Sequence, residues 1–146
     1  SIGVAFNPYL PGSLFDEEIS RLKKKLQSGL VSSIWIQFGT DYKLLNSRFD
    51  MLSNIISKTI YSNTKISNIM LFGSILIPSK QFLNRFKFRP WKGVYCSSEF
   101  LESVDLANKL ISKLLLTYKE YKICPLIETN ISKDDHLNRL KKTLTL

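Results

Sequence analysis

A single amide stands inside an apolar run of the kind that forms buried strands. Gln37 lies between Ile36 and Phe38 in the stretch SSIWIQFGTD, and residues 39–41 close the run before a helical pattern begins. A buried glutamine must satisfy one carbonyl oxygen and two N–H donors. Its partners are then either the neighbouring backbone or a bound ligand, which makes Gln37 the first candidate binding residue.

Other polar side chains suggest chemistry less specifically. Asn7 ends the first apolar run, but Asn-Pro is also a turn signal. The cations Arg21, Lys24 and Lys25 could attract a phosphate, although a lysine run on a helix is usually a solvated face. Glu128, at the end of the last apolar run, suits an acid or base and equally a backbone cap or a lysine partner.

Motifs of the familiar catalytic kinds are missing from the sequence. There is no GxGxxG, Walker loop, nucleophile elbow or metal-ligand spacing. Cys96 and Cys124 match neither a metal site nor a disulfide framework, so we expect reduced thiols and a cytoplasmic protein. His136 follows Asp134 and Asp135, and we expect it to be a solvated helix residue rather than a metal ligand.

The chain is basic, with 21 Lys and Arg against 12 Asp and Glu and a formal net charge of +9. This surplus favours anionic partners. The charges look scattered, without a recognised binding motif or aromatic–basic interleaving on one face, so a nucleic-acid partner is not expected. No apolar run approaches the ~20 residues that span a bilayer, and no signal peptide is visible, so no membrane partner is expected.

Alternating strand and helix patterns would position these residues. Strands are predicted over 2–8, 32–39, 66–78 and 122–130, and helices over 16–29, 41–60, 79–86, 99–121 and 134–144. This βαβαβααβα order predicts one α/β domain over residues 1–146. Its parallel four-stranded βα-repeat sheet would be covered on both faces and have the strand count of half of a (β/α)8 TIM barrel. In such sheets ligands bind at the carboxyl ends of the strands, where Asn7, Gln37 and Glu128 fall.

Read in chain order, five segments resemble the second half of the flavin-dependent barrel of the methylenetetrahydrofolate reductase family, over nearly the whole chain. They are VAFNPYLP, EEISRLKKKLQSG with its L-K-x-K pattern and glycine, IQFGTD beside the family's TQFFFD, GSILIPSKQF beside its GILP, and ICPLIETN at its last strand. The resemblance implies an oxidoreductase of folate one-carbon metabolism. There FAD takes hydride from NAD(P)H and passes it to the methylene carbon bound to folate.

The resemblance also implies roles for individual residues. Gln37 would contact the pterin of the folate substrate, and Phe82 falls near an aromatic that packs on the folate. The implied FAD-binding residues, all on the first strand and helix, are Asn7, Glu18, Arg21, Lys24 and Lys25. No catalytic residue is implied, because the family's acidic residues belong to its first four strands, which have no counterpart here, and Glu128 does not match them in position.

Departures from the family pattern leave a second function open. The aromatic run after the amide is reduced to Phe38 and Gly39, Pro11 replaces a histidine, and Ile131 instead of arginine follows Asn130. A half barrel also leaves two strand edges unpaired. We therefore expect a homo-oligomer, a partner half-barrel or a longer natural chain, the last favoured by the missing initiator Met. The alternative function is a degenerate, non-catalytic homologue that dimerises and binds a nucleotide or a protein.

Overall fold

The computed structural model describes residues 2–62, 68–128 and 134–144, the last range without the side chains of His136, Arg139, Thr143 and Leu144. In this part of the chain the strands are β1 (Ile2–Phe6), β2 (Val31–Ile36), β3 (Met70–Leu76) and β4 (Cys124–Glu128). The helices are α1 (Gly12–Gln27), α2 (Tyr42–Ser62), α3 (Lys80–Phe88), α4 (Ser98–Glu102), α5 (Val104–Glu120) and α6 (Asp134–Leu144). Not one of these six helices combines the length and the apolar character needed to cross a membrane.

The sheet is parallel throughout, with the strand order β1-β2-β3-β4. This confirms the predicted α/β class and the four-stranded βα-repeat, which is the arrangement of half of a (β/α)8 barrel. Strand order follows chain order, and parallel crossovers are right-handed, so the connecting helices all pack on the same side of the sheet. The expectation that helices cover both faces was therefore wrong, because a sheet without a reversal in strand order receives them on one face only.

The covered face of the sheet holds the hydrophobic core. Its strand residues Phe6, Ile34, Ile36 and Ile75 are at most 1% exposed. The helices meet them with apolar stripes spaced by three and four residues, as an amphipathic helix requires. The buried stripe residues of α1, α2 and α5 include Ile19, Leu22, Leu26, Leu45, Phe49, Leu52, Leu110, Ile111 and Leu114.

One close approach fixes the distance between β3 and α5. A methyl group at Gly73 would lie 2.4 Å from ring atoms of Tyr118, so only glycine leaves room for that ring. The Tyr118 hydroxyl donates to the carbonyl of Ser74 at 3.2 Å. Burial raises the pKa of this phenol. The Tyr118 ring is thus held against β3 by its contact with Gly73 and by the hydrogen bond of its hydroxyl to Ser74.

The opposite face of the sheet is covered by no element among the described residues. Ala5, Trp35, Phe72 and Cys124 stand in register across it, and we call this row the open face. Trp35 is 45% exposed and stacks on Phe72 with ring centroids 4.9 Å apart. In a closed barrel such a row would point into the interior, so an apolar surface that is normally buried lies exposed here.

The two edges of the sheet differ in their free backbone groups. The Gln37 N–H donates to the Phe6 carbonyl at 2.8 Å, so the backbone of Phe6 faces β2 and, by alternation, that of Ala5 faces the free edge of β1. On β4, the Glu128 carbonyl accepts from the Ile77 N–H at 3.2 Å, so alternation turns Pro125 to the free edge. Proline has no N–H, and the β4 edge therefore lacks a donor where the β1 edge keeps one.

Helix caps explain the main departure from the predicted element bounds. The single helix predicted over 99–121 is two helices, because Ser103 is extended and its hydroxyl accepts the Leu106 N–H at 3.2 Å as the N-cap of α5. The helix predicted from Asp16 begins at Gly12 instead, and its added first turn buries Phe15. The predicted end of the last strand at Asn130 lies outside the described residues.

The two cysteines should differ strongly in reactivity. Cys124 is exposed on the open face, whereas burial raises the pKa of Cys96 to about 12. Because the thiolate is the nucleophile, we expect iodoacetamide at about pH 8 to modify Cys124 rapidly and to spare Cys96 until the chain is unfolded. Mass spectrometry of the labelled peptides measures this, with Cys124→Ser as the control that should abolish the native reaction. Protection of both thiols in the folded protein would contradict an uncovered sheet face.

Candidate functional site

Gln37 follows the last residue of β2 at the carboxyl edge of the sheet. Its backbone N–H continues the ladder to Phe6, while Phe38 turns inward and packs edge-to-face on Phe100 with ring centroids 5.9 Å apart. Side chains alternate along a strand, so Gln37 points to the same face as Trp35, the open face. The Gln37 side chain is half-buried, and its amide has no hydrogen-bond partner within residues 2–62, 68–128 and 134–144. Both polar ends of the amide are thus available to a ligand.

Asn7 and Glu18 connect to each other rather than to open space. The Asn7 side chain accepts the Tyr9 N–H at 3.0 Å and donates to the Gly93 carbonyl at 2.8 Å. The Asn7 N–H donates to the Glu18 carboxylate at 3.0 Å, and the other carboxylate oxygen accepts from Arg21 at 2.9 Å. This chain of bonds joins the end of β1, helix α1 and the turn at Gly93, and it gives Asn7 and Glu18 structural partners.

Lys24 and Lys25 stand apart from that network. Both are exposed in the last turn of α1. Lys25 lies seven residues after Glu18, which is about 10 Å along a helix axis. Because α1 runs back from the carboxyl edge of the sheet, these lysines lie toward the opposite edge, and the structure does not bring them to Gln37. Arg21 is nearer and keeps 55% of its side chain exposed while paired.

Phe82 belongs to an aromatic cluster on α3. Its ring lies 5.7 Å from that of Phe86 and 5.5 Å from that of Trp91, the latter edge-to-face. Ser79 caps the helix by accepting the Phe82 N–H at 3.1 Å, which places the start of α3 directly after β3. Phe82 is half-buried and its ring contacts lie within its own helix and the following loop, so neither a ring contact nor a hydrogen bond joins it to Gln37.

The loop after α3 lies against the residues that follow β1 and β2. Gly39 and Tyr95 form an isolated parallel bridge, and the Thr40 N–H donates to the Tyr95 carbonyl at 3.0 Å. The buried Thr40 hydroxyl accepts the Ser97 N–H at 2.8 Å. The sequence indicates Thr40 or Asp41 as the cap of α2 and assigns no role to Tyr95, because bonds between residues more than fifty positions apart carry no local signal.

Arg48 holds the loop that leaves β1. Its guanidinium donates to the carbonyls of Pro8 and Leu10, the second at 2.8 Å, and lies 3.8 Å from the centroid of the Phe15 ring. Within this loop the Tyr9 hydroxyl is buried without a hydrogen-bond partner among the described residues, and burial raises the pKa of this phenol well above its usual value. The loop is therefore packed in place by the buried Tyr9 side chain and by the Arg48 guanidinium.

Acidic and metal-binding chemistry finds little support at this edge. Glu128 is exposed at the end of β4, and the Asp41 carboxylate caps α2 by accepting the Leu44 N–H at 2.9 Å. Nowhere in the described ranges do three His, Cys, Asp or Glu side chains come together as a metal site. The side chain of His136 lies outside the described residues.

Comparison with known proteins identifies no relative. No family model, no curated protein and no solved structure matches this chain. The resemblance to the reductase family therefore stays a prediction from short segments. The functional argument depends on what the geometry offers, which is a free amide at the carboxyl edge beside an exposed apolar sheet face.

Proposed function

We propose that this chain is one half of a flavin-dependent reductase barrel that acts on a one-carbon unit carried by folate, with Gln37 as the residue that orients the pterin. The observation that carries the proposal is the half-buried, unpartnered amide at the end of β2. A pterin presents adjacent ring donors and acceptors, which an amide can pair in a two-point contact. The stacked Trp35 and Phe72 rings offer an apolar surface on the same face.

The cofactor fits the chain in part. The FAD would carry the hydride, with NAD(P)H as the reductant. Arg21, fixed by Glu18, provides an exposed cation on α1 for its pyrophosphate, whereas Lys24 and Lys25 are exposed cations nearer the opposite edge of the sheet. Asn7 would position the backbone around the site and not contact the cofactor directly, since both polar groups of its side chain bond to backbone partners. These residues position a dinucleotide and take no chemical step.

The exposed sheet face supports a partner in this function. An apolar row across four strands normally lies against another layer. A second copy of the chain or a partner half-barrel would supply the opposite wall and the acidic residues that this half does not offer. We therefore expect the chain alone to bind ligands without completing the reaction.

Replacing Gln37 with leucine tests this proposal directly. The leucine keeps the volume of the side chain and removes both hydrogen bonds to the ring, so we expect binding of 5-methyltetrahydrofolate to weaken by about tenfold or more, as a lost buried pairing does. Isothermal titration calorimetry measures the change, with titration of FAD in parallel. Gln27→Leu, a surface amide on α1, is the matched control and should leave both affinities unchanged.

A protein that binds neither FAD nor the folate would overturn the proposal and favour a second function, a non-catalytic module that binds a nucleotide or a protein. Two observations favour that alternative. Pro125 removes a backbone donor from an edge that a barrel would have to close. Asn7 and Glu18, two of the implied cofactor residues, already have internal partners.

A further inference from the structure

A basic and aromatic segment spans the end of α3 and the loop that follows it. Residues 85–92 read RFKFRPWK, and residues 79–98 contain five cations and no acidic residue. This stretch carries more than half of the net charge of +9. Leu83 and Phe86 are buried and anchor the helix, whereas residues 87–92 are exposed. The sequence expectation that aromatic and basic residues do not interleave on one face was therefore mistaken for this segment.

A concave site lies within the segment. A cavity of ≈ 510 Å³ is lined by Arg85, Arg89, Pro90, Trp91 and Lys92, which we call the basic cleft. Its lining contains three cations, one aromatic wall and no carboxylate. Arg85, Arg89 and Lys92 form no ion pair with any described residue, so the cations of the cleft are not neutralised.

The aromatic wall is fixed in place. Phe82 and Phe86 contact Trp91 edge-to-face at 5.5 and 6.2 Å, while 47% of the indole stays exposed. The Val94 N–H closes a turn onto the Trp91 carbonyl at 3.2 Å, and the Gly93 carbonyl is held by the Asn7 amide. The cleft is thus built on a helix end and a tethered turn, which lowers the conformational cost of binding.

We propose that the basic cleft binds a nucleotide unit, with a base stacked on Trp91 and its phosphates held by Arg85, Arg89 and Lys92, and that its ligand is a single-stranded nucleic acid. Guanidinium groups pair with phosphate oxygens in a two-point geometry. Exposed aromatic rings bind successive bases without regard to sequence. Phe88, 90% exposed and three residues before Trp91, provides a second ring for a neighbouring base. The concave shape favours a strand over a flat lipid surface.

Binding of a short fluorescein-labelled oligonucleotide to the full chain tests the cleft. Fluorescence anisotropy with oligo(dT) and oligo(U) should show saturable binding, and the logarithm of the affinity should fall with the logarithm of the salt concentration with a slope of about −2, as three phosphate contacts on a single strand predict. The mononucleotides dTMP and UMP form the second arm. They should compete weakly, and competition equal to that of the oligonucleotide would assign the cleft to free nucleotides instead.

Variants separate the two parts of the contact. Arg85→Gln combined with Arg89→Gln should weaken binding by about tenfold at low salt and reduce the salt slope by about 1.4. Trp91→Ala should weaken binding by about tenfold at every salt concentration, since stacking is not screened. Lys109→Gln with Lys119→Gln removes the same charge from the exposed side of α5 and should change the affinity less than twofold.

Several results would overturn the proposal. One is an equal loss of affinity in the α5 control pair, which would mean that only net charge matters. Another is binding of phosphatidylserine vesicles that depends on Trp91 and Phe88, without binding of the oligonucleotide. Because Arg85 and Arg89 are exposed, their double variant should fold normally, and unchanged affinity in that folded protein would also refute the cleft. The proposal does not depend on the reductase function, and Gln37→Leu should leave oligonucleotide binding intact.

Discussion

Replacing Gly73 with alanine should destabilise the protein by about 3 kcal/mol, because the added methyl group drives β3 against a buried ring. That methyl would lie 2.4 Å from two ring carbons of Tyr118 and 2.6 Å from its hydroxyl oxygen. Tyr118 is 1% exposed and cannot swing away. Thermal unfolding followed by circular dichroism should show a fall in Tm of about 10 °C.

Two further variants make this prediction specific to the covered face. At Gly3 a new methyl group would approach the Trp35 indole at 2.5 Å, but that ring lies on the open face and can turn outward, so Gly3→Ala should cost about 1 kcal/mol or less. Tyr118→Leu combined with Gly73→Ala removes the ring that clashes, so the two changes together should cost less than the sum of their separate effects. Equal losses of stability in Gly3→Ala and Gly73→Ala would contradict a sheet that helices cover on one face only.

Replacing Phe100 with alanine should cost about 4 kcal/mol, the usual loss for a fully buried aromatic side chain. Phe100 is 0% exposed and packs against Phe38, the residue that follows Gln37. It is the buried residue of α4, whose N-cap hydroxyl on Ser97 also bonds to Thr40. Removal of the ring should therefore loosen both the loop after α3 and the backbone that positions the Gln37 amide. Urea unfolding gives the free energy of unfolding directly.

The matched control for Phe100 is Phe88→Ala. Phe88 is 90% exposed at the end of α3, so its removal should leave the free energy of unfolding unchanged within about 0.5 kcal/mol. Hydrogen exchange at residues 37–40 should rise in Phe100→Ala and not in Phe88→Ala. Loss of global stability without faster exchange there would separate the role of Phe100 in folding from its role in positioning Gln37.

The parallel sheet was predictable from the sequence because each strand is a short apolar run followed by an amphipathic helix. The spacing of two between Ile34 and Ile36 fits a strand. The spacings of four and three along Leu45, Phe49 and Leu52 fit a helix and not a strand. The bare face was not predictable, since Trp35 and Phe72 are as apolar as residues that lie under helices. The residue type alone does not distinguish a strand side chain that packs under a helix from one that lies on the open face.

The candidate site was predicted in part. The position of Gln37 at the carboxyl edge follows from strand order and holds in the structure. The partners of Asn7 do not follow from sequence, because Gly93 lies 86 positions away and contributes only a backbone carbonyl. The basic cleft was overlooked for a related reason. Proline and glycine made residues 87–100 read as irregular, and the tether to β1 that orders the turn is a long-range contact.

Pro125 has a consequence for how copies of this chain meet one another. In this sheet β1 forms one edge and β4 the other, so β4 of one copy can pair with β1 of the next. Such head-to-tail pairing can continue without closing into a ring and would then give a fibre. Every joint in that polymer would use one β4 edge, and every β4 edge carries the imino acid. Pro125 thus removes one backbone hydrogen bond from every such joint and should disfavour fibre growth, while the edge of β1 keeps its donors for a different strand.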